Sequence, residues 1–309
     1  MKLLNKKNYF LYLIILAFVF ISSTAMALSG NFFSVEETVS LPVKISRSFP
    51  PNPVLASGDS FPVLSAQGAL AVDLESGVTL YEKNPDTKLL PASTTKIITA
   101  LVVLDTFPLD EVIKVGVINV DGQKMGLYRG EEITVENLLY GLLVYSANDA
   151  AQVLANSYPE GYDAFVLAMD AKAKELSMTN THFDNPVGFD TDDQHSTTRD
   201  LVRASEVAMR NPVFAKIVGT KEIFLTDVTG KTKYNLRNIN QLLGTVPGVI
   251  GVKTGWTQGA RENLVTYIKR DGHTLVIALL GSQDRFGETK ELIDWIFANY
   301  DWQEVKLPR

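Results

Sequence analysis

Leu264-Val265-Thr266-Tyr267-Ile268-Lys269 and His273-Thr274-Leu275-Val276-Ile277-Ala278-Leu279-Leu280, joined through Asp271-Gly272, are the stretch that decides the fold. Asp-Gly between two runs rich in β-branched and apolar residues is a strong hairpin signal, because both turn positions need positive φ. A second pair of extended runs lies far upstream. Ala69-Leu70-Ala71-Val72-Asp73-Leu74 and Val78-Thr79-Leu80-Tyr81 flank the turn Glu75-Ser76-Gly77 and read as another hairpin. The block between them is helical. Ser93 stands where a helix should start, ahead of Ile97, Ile98, Leu101, Val102 and Leu104, a helix apolar enough to be largely buried. Further helices are expected at Val135 to Tyr145 behind Thr134, Ala150 to Ser157, Tyr162 to Leu176, and Arg199 to Arg210. The last has Thr197 three residues before Asp200, a capping-box-like start. A strand is expected over Glu222 to Thr226. A final helix, about Glu288 to Tyr300, puts Leu292, Ile293, Ile296 and Phe297 on one face, suited to packing on the sheet. Strands at both ends with helices between argue for a mixed α/β class with a mostly antiparallel sheet, rather than a doubly wound parallel one.

The chain has 309 residues, 46% hydrophobic and 21% charged, enough to bury a full core. A formal charge of -6 gives no basic field to gather phosphates, so nucleic acid is not an expected partner. The absence of cysteine rules out disulfides, thiolate catalysis and zinc-thiolate sites. Lys2, Lys6 and Lys7 precede the apolar run Tyr9 to Ile21, then Ser22-Ser23-Thr24 and Ala25-Met26-Ala27. That layout is a secretory signal over residues 1–27, cleaved after Ala27. The competing reading is an uncleaved anchor, Tyr9 to Leu28, about long enough to span a bilayer. Both export the remainder. Removing three lysines and no acid takes the charge from -6 to -9. Residues 28–62, with Pro42, Pro50, Pro51, Pro53 and Pro62 and no sustained period, read as a spacer. The domain is expected over 63–302 and a tail over 303–309.

Three short patterns carry chemistry. Ser93-Thr94-Thr95-Lys96 puts a hydroxyl and an amine three apart on one helix face, within hydrogen-bond reach. Serine is a weak nucleophile until a base takes its proton. A lysine one turn into an apolar helix is desolvated, which disfavours its ammonium form and makes a neutral amine base attainable. The helix N-terminus offers N–H groups where an oxyanion would form. Taken alone, Ser-x-x-Lys is more often a cap with a lysine that reaches water. Ser146-Ala147-Asn148 falls between two helices, where Ser146 could relay a proton and Asn148 could hold a substrate amide; by itself it too is more often a helix cap. Ser29-Gly30-Asn31 fits the same pattern but lies in the spacer. Lys253-Thr254-Gly255 follows Gly248-Val249-Ile250-Gly251-Val252, a run suited to an inner strand that a ligand approaches closely. Its lysine and hydroxyl could bind a carboxylate, and the Trp256 N–H could be a second oxyanion donor. His182, His195 and His273 form no metal-ligand spacing. Asp190, Asp192 and Asp193 lack the rest of a calcium loop and read as solvated. No metal or cofactor is expected.

With these patterns placed, the chain resembles the serine-type D-Ala-D-Ala carboxypeptidases, the low-molecular-mass penicillin-binding proteins of peptidase family S11. The resemblance runs over about Ala69 to Tyr300 and includes Pro91 to Lys96, Tyr145 to Ala151, Asn185-Pro186-Val187-Gly188, Ser196 to Asp200 and Pro247 to Gly255. It implies a penicillin-binding fold: a five-stranded antiparallel sheet flanked by helices, plus a helical subdomain. It also implies an acyl-enzyme mechanism on peptidoglycan stem peptides ending in D-Ala-D-Ala, with β-lactams as inhibitors. Ser93 would be the nucleophile, Lys96 the base, Ser146 the proton relay and Asn148 a substrate anchor. Lys253 and Thr254 would hold the terminal carboxylate, helped by Arg285, with Gly255 letting the substrate lie alongside. Ser93 and Trp256 would supply the oxyanion N–H groups. Many members carry glycine where this chain has Ala147, a change expected to leave the flanking side chains in place. Many also carry a β-rich second domain and an amphipathic C-terminal anchor; with this sequence ending at Arg309, any membrane association is expected of the N-terminal segment. A D,D-endopeptidase uses the same residues with a different cleft shape. A class A β-lactamase is disfavoured by the lack of a Glu-x-x-x-Asn motif between Asn148 and Lys253. A non-catalytic scaffold has no chemical need for the six polar residues.

Overall fold

In the computed structural model Asp271 and Gly272 both adopt positive φ, 52° and 86°, the geometry a two-residue hairpin turn requires. The structure describes residues 49–56 and 60–304; the signal-like segment 1–27, the Ser29-Gly30-Asn31 triplet and residues 305–309 of the expected tail lie outside the described residues. In chain order the strands are β1 (Asn52–Leu55), β2 (Gly68–Asp73), β3 (Thr79–Lys83), β4 (Val112–Lys114), β5 (Glu132–Thr134), β6 (Glu222–Thr226), β7 (Lys233–Arg237), β8 (Val249–Thr257), β9 (Arg261–Arg270), β10 (His273–Ser282) and β11 (Tyr300–Gln303). The helices are α1 (Lys96–Thr106), α2 (Val135–Val144), α3 (Asn148–Asn156), α4 (Tyr162–Glu175), α5 (Thr198–Arg210), α6 (Pro212–Val218) and α7 (Arg285–Asn299), with a 3₁₀ turn over Ala92–Thr95 leading into α1.

The main sheet has the order β3-β2-β10-β9-β8, antiparallel at every pairing. Its centre, β10, is buried on both faces because side chains alternate across a strand. Val276, Ala278 and Leu280 join Leu201, Ala204 and Ala208 of α5. Leu275, Ile277 and Leu279 join Leu292, Ile293 and Ile296 of α7. Each buried leucine or isoleucine contributes about 1.5–3 kcal/mol, so a charge at Ile277 would disrupt the sheet and α7 together. The helical subdomain is built around α1, whose residues Ile97 to Val103 are all buried and which packs on α2, α4 and α5. Thr197 caps α5 as expected, accepting from Asp200 N at 3.1 Å.

Several boundaries differ from the sequence reading. The spacer and tail limits, 28–62 and 303–309, cut through a small sheet: Asn52 to Leu55 pair with Gln303 to Tyr300. Proline is tolerated there because β1 has a single partner, and Pro53 is buried opposite Trp302. Pro62 is also anchored, its carbonyl accepting from Tyr81 Oη at 3.0 Å. The last helix starts one turn early, at Arg285, because Asp284 accepts from Gly287 N at 2.9 Å and caps it; Tyr300 belongs to β11. The short elements β4, β5, β7 and α6 carry too little periodicity to be read from the chain. β8 is an edge strand rather than the inner one its small, apolar run suggested. The 3₁₀ turn of Ser93 packs against it at Gly255, whereas Gly251 is closed in by Val218 of α6 and Gly248 by the Lys269 carbonyl of β9. Among the described residues no helix is long and apolar enough to cross a membrane.

Candidate active site

Ser93 lies in the 3₁₀ turn and Lys96 opens α1, so the turn places their side chains together: Lys96 Nζ is 2.8 Å from Ser93 Oγ. Lys96 is fully buried, which excludes a lysine that merely reaches water. Its Nζ also meets Asn148 Oδ1 at 2.8 Å and the Val187 carbonyl at 2.6 Å. Among the described residues it makes no ion pair. Burial without a compensating carboxylate lowers its pKa to about 7.

The hydrogen bonds fix where a neutral Lys96 amine would point its lone pair. Such an amine has two protons to donate. The Val187 carbonyl can only accept. Asn148 presents its oxygen to Lys96 because its Nδ2 donates to the Asp121 carbonyl at 2.8 Å, which settles the amide orientation. These two acceptors take both protons, and the lone pair is left for the hydroxyl of Ser93. The arrangement can draw the Ser93 proton onto Lys96.

Ser146 sits between α2 and α3 in the left-handed region, φ 61°, so it cannot continue either helix. Neither it nor Asn148 caps α3; Ala147 holds the cap position without a side-chain bond. The side chain of Ser146 is instead used across the site, accepting from Lys253 Nζ at 2.8 Å. Lys253 is buried and also donates to the Thr254 carbonyl at 2.9 Å. Burial, with Lys96 and Arg285 nearby, holds its pKa well below the ordinary lysine value. Ala147 is fully buried with its N–H on the Gly141 carbonyl at 2.9 Å, so its methyl does not enter the site.

Gly255 is where β8 meets the serine turn. A Cβ there would stand 3.1 Å from Ser93 N, the Pro91 carbonyl oxygen and Ala92 Cβ. Backbone groups alternate along a strand, so the Trp256 N–H shares the edge on which the Thr254 carbonyl meets Lys253. Arg285 reaches over from the first turn of α7 and donates to the Gly255 carbonyl through Nη1 at 2.7 Å. Its buried Nε, and the buried hydroxyl of Thr254, have no hydrogen-bond partner among the described residues. Ser93, Ser146, Asn148, Thr254, Gly255, Trp256 and Arg285 all line one cleft of about 1020 Å³. Every expected site residue therefore lies in or directly beneath that cleft.

A model of the D-alanyl-D-alanine carboxypeptidase family, peptidase family S11, matches residues 56–284. The chain belongs to this family. It is 30% identical over 246 residues to the D-alanyl-D-alanine carboxypeptidase DacF of Bacillus subtilis, an alignment covering 76% of this chain and 63% of that protein's length. It is 34% identical over 270 residues to a D-alanyl-D-alanine endopeptidase of Escherichia coli, covering 83% of this chain and 86% of the relative. The solved Streptomyces K15 DD-transpeptidase superposes with a TM-score of 0.74 at 33% identity, over 78% of this chain and 100% of that one. The fold is thus the penicillin-binding DD-peptidase fold.

In this S11 protein the site also uses groups that sequence reasoning missed. The Val187 carbonyl is one, since a backbone acceptor has no residue-type signature. Asp149 is another: its buried carboxylate accepts from the N–H groups of Met125, Gly126 and Leu127 at 2.9–3.1 Å. It thereby shapes the loop whose Asp121 and Gln123 carbonyls hold the Asn148 side chain and N–H. Asp190, read from the sequence as solvated, is exposed but also bonded within the protein. It accepts from Thr257 Oγ1 at 2.7 Å and Gly259 N at 3.2 Å, tying its loop to the β8–β9 turn.

Proposed function

We propose that this protein is a serine-type D,D-carboxypeptidase of the cell envelope that removes the terminal D-alanine from peptidoglycan stem pentapeptides. The observation that carries this reading is the buried Lys96 amine, 2.8 Å from Ser93 Oγ and without a carboxylate partner. Ser93 gives its proton to Lys96 and attacks the peptide carbonyl between the two D-alanines. The N–H groups of Ser93 and Trp256 receive the oxyanion. Ser146, hydrogen-bonded to Lys253, gives its hydroxyl proton to the departing amine and is reprotonated at the expense of the Lys96 ammonium, so D-alanine leaves and Lys96 is neutral again. Water then attacks the Ser93 ester, giving a proton to Lys96, which returns it to Ser93 Oγ as the acyl product departs. Thr254, Arg285 and Lys253 hold the terminal carboxylate, Asn148 anchors the substrate amide, and Gly255 lets the peptide lie along β8. β-Lactams acylate the same serine.

Two unpaired buried groups, Thr254 Oγ1 and Arg285 Nε, support recognition of a free C-terminus. Among the described residues no aspartate or glutamate lines the cleft, which supports slow release of a penicilloyl group and counts against a β-lactamase. The endopeptidase reading draws on one observation: a relative named as an endopeptidase is as similar to this chain, at 34% identity, as one named as a carboxypeptidase. Residues 1–27 act as an export signal, or as an anchor that keeps the protein at the membrane. The test is to offer a stem pentapeptide and a cross-linked stem dimer to the purified protein. D-Alanine release from the pentapeptide supports the carboxypeptidase; cleavage of the dimer alone replaces it with the endopeptidase.

A further inference from the structure

Asn185 is buried at the start of the turn that carries Val187, and its side chain is wholly committed to that turn. Its Oδ1 accepts from the N–H groups of Val187 at 3.3 Å, Gly188 at 2.8 Å and Phe189 at 3.0 Å. Its Nδ2 closes the ring on the Phe189 carbonyl at 3.1 Å. Because the Gly188 N–H points at Asn185, the Val187 carbonyl in the same planar trans peptide unit points away from it. The Val187 carbonyl faces Lys96, 2.6 Å away. Gly188 lets the turn approach the serine loop, since a Cβ there would stand 1.9 Å from the Ala92 carbonyl oxygen.

We propose that Asn185 is a positioning residue for acylation: by holding the Val187 carbonyl against Lys96, it directs the amine lone pair at the hydroxyl of Ser93. The inference rests on the reading of Lys96 as the base. Of the two acceptors that occupy the amine's protons, one is the Asn148 side chain and the other exists only because of this turn. Without the Asn185 oxygen, the N–H groups of 187–189 must find other partners and the Val187 carbonyl leaves its place. The amine is then free to rotate, and a proton replaces the lone pair in front of Ser93 for part of the time. Asn185 itself does not line the cleft, although Val187, Gly188 and Phe189 of its turn do, so the rate constant responds more than binding does.

The test compares Asn185→Ala and Asn185→Asp with wild type, following acylation by a labelled penicillin across pH 5 to 9 and counting only folded molecules. For Asn185→Ala, the acylation rate constant falls by about 10-fold or more at every pH, a larger change than that in the dissociation constant of the initial complex. Asn185→Asp keeps an acceptor oxygen for the turn and so keeps most of the rate at high pH. Its added negative charge favours the Lys96 ammonium and moves the acid limb to higher pH. NMR titration of Lys96 in lysine-labelled protein reports the same upward displacement without requiring activity. A wild-type rate constant in both variants, with only a lowered Tm, overturns the inference and leaves Asn185 a structural residue. Failure of wild type itself to be acylated would instead refute the function on which the inference rests.

Discussion

A Cβ added to Gly188 would lie 1.9 Å from the carbonyl oxygen of Ala92, with Gly188 at φ 91°. Two conditions therefore demand glycine, close approach and a left-handed backbone. Ala92 is itself left-handed, φ 47°, a conformation that costs roughly 1–2 kcal/mol for a residue with a side chain. The residue before Ser93 is thus held in strain between Gly188 on one side and Gly255 on the other. Gly188→Ala is expected to displace the serine turn and lower acylation by roughly 10²-fold or more, with a fall in Tm as well. Ala92→Gly should be close to neutral in Tm. The strain it relieves is offset by about 0.8 kcal/mol for the lost buried methyl and by the added freedom of the unfolded chain.

The pH dependence of acylation follows from Lys96. In the proposed mechanism its neutral form is the base, and burial lowers its pKa to about 7, so the rate should rise through pH 7 and level above it. Stability carries the same signature. The unfolded chain binds a proton at this lysine up to about pH 10.4, whereas the folded protein releases it near 7. The cost of the buried cation is present in full below pH 7 and is relieved as pH rises towards 10. Lys96→Met should abolish acylation and raise Tm at pH 6 more than at pH 9, a difference on the order of a few kcal/mol. Equal effects at both values would contradict a buried, uncompensated amine.

The carboxylate-binding role proposed for Arg285 can be separated from the rest of catalysis. Wild type should prefer a D-Ala-D-Ala peptide to its C-terminal amide by a large factor in kcat/KM. Arg285→Leu should lose roughly 10- to 10²-fold on the acid and little on the amide, so that the preference nearly disappears. A variant that still discriminated as wild type does would assign carboxylate binding to Lys253 and Thr254 alone.

Asp149 acts at one remove. Its carboxylate holds three N–H groups of the 125–127 segment, and hydrogen bonds to a buried charge are worth about 1.5–3 kcal/mol each before compensation. Asp149→Ala should lower Tm by several degrees and weaken substrate turnover through Asn148. Asp149→Asn, which keeps one acceptor oxygen, should fall between. Thermal unfolding and kcat/KM on the same preparations check this.

What was legible in the sequence depended on how local the signal was. The Asp271-Gly272 hairpin and the Thr197 cap are written in a few adjacent residues, and both are where they were expected. The three polar motifs were legible as a set because each is short and local, although their meeting is a matter of tertiary structure: Ser146 and Lys253 are 107 positions apart. The edge position of β8 was not legible. Its run of small residues records close packing but not whether a neighbouring strand or, as at Gly251, the Val218 side chain of α6 provides it. β1 was lost among prolines, since a two-stranded edge imposes little pattern. The Val187 carbonyl was invisible for a different reason: any residue type could supply it. Only Asn185, two positions before it and followed by proline, left a turn signal.

Acylation of Ser93 tests the central claim most directly. The purified protein without residues 1–27, incubated with a labelled penicillin and digested, should yield a single peptide carrying the penicilloyl mass on Ser93, with none in Ser93→Ala. No covalent adduct on folded protein, or an adduct on another residue that survives Ser93→Ala, would contradict the account.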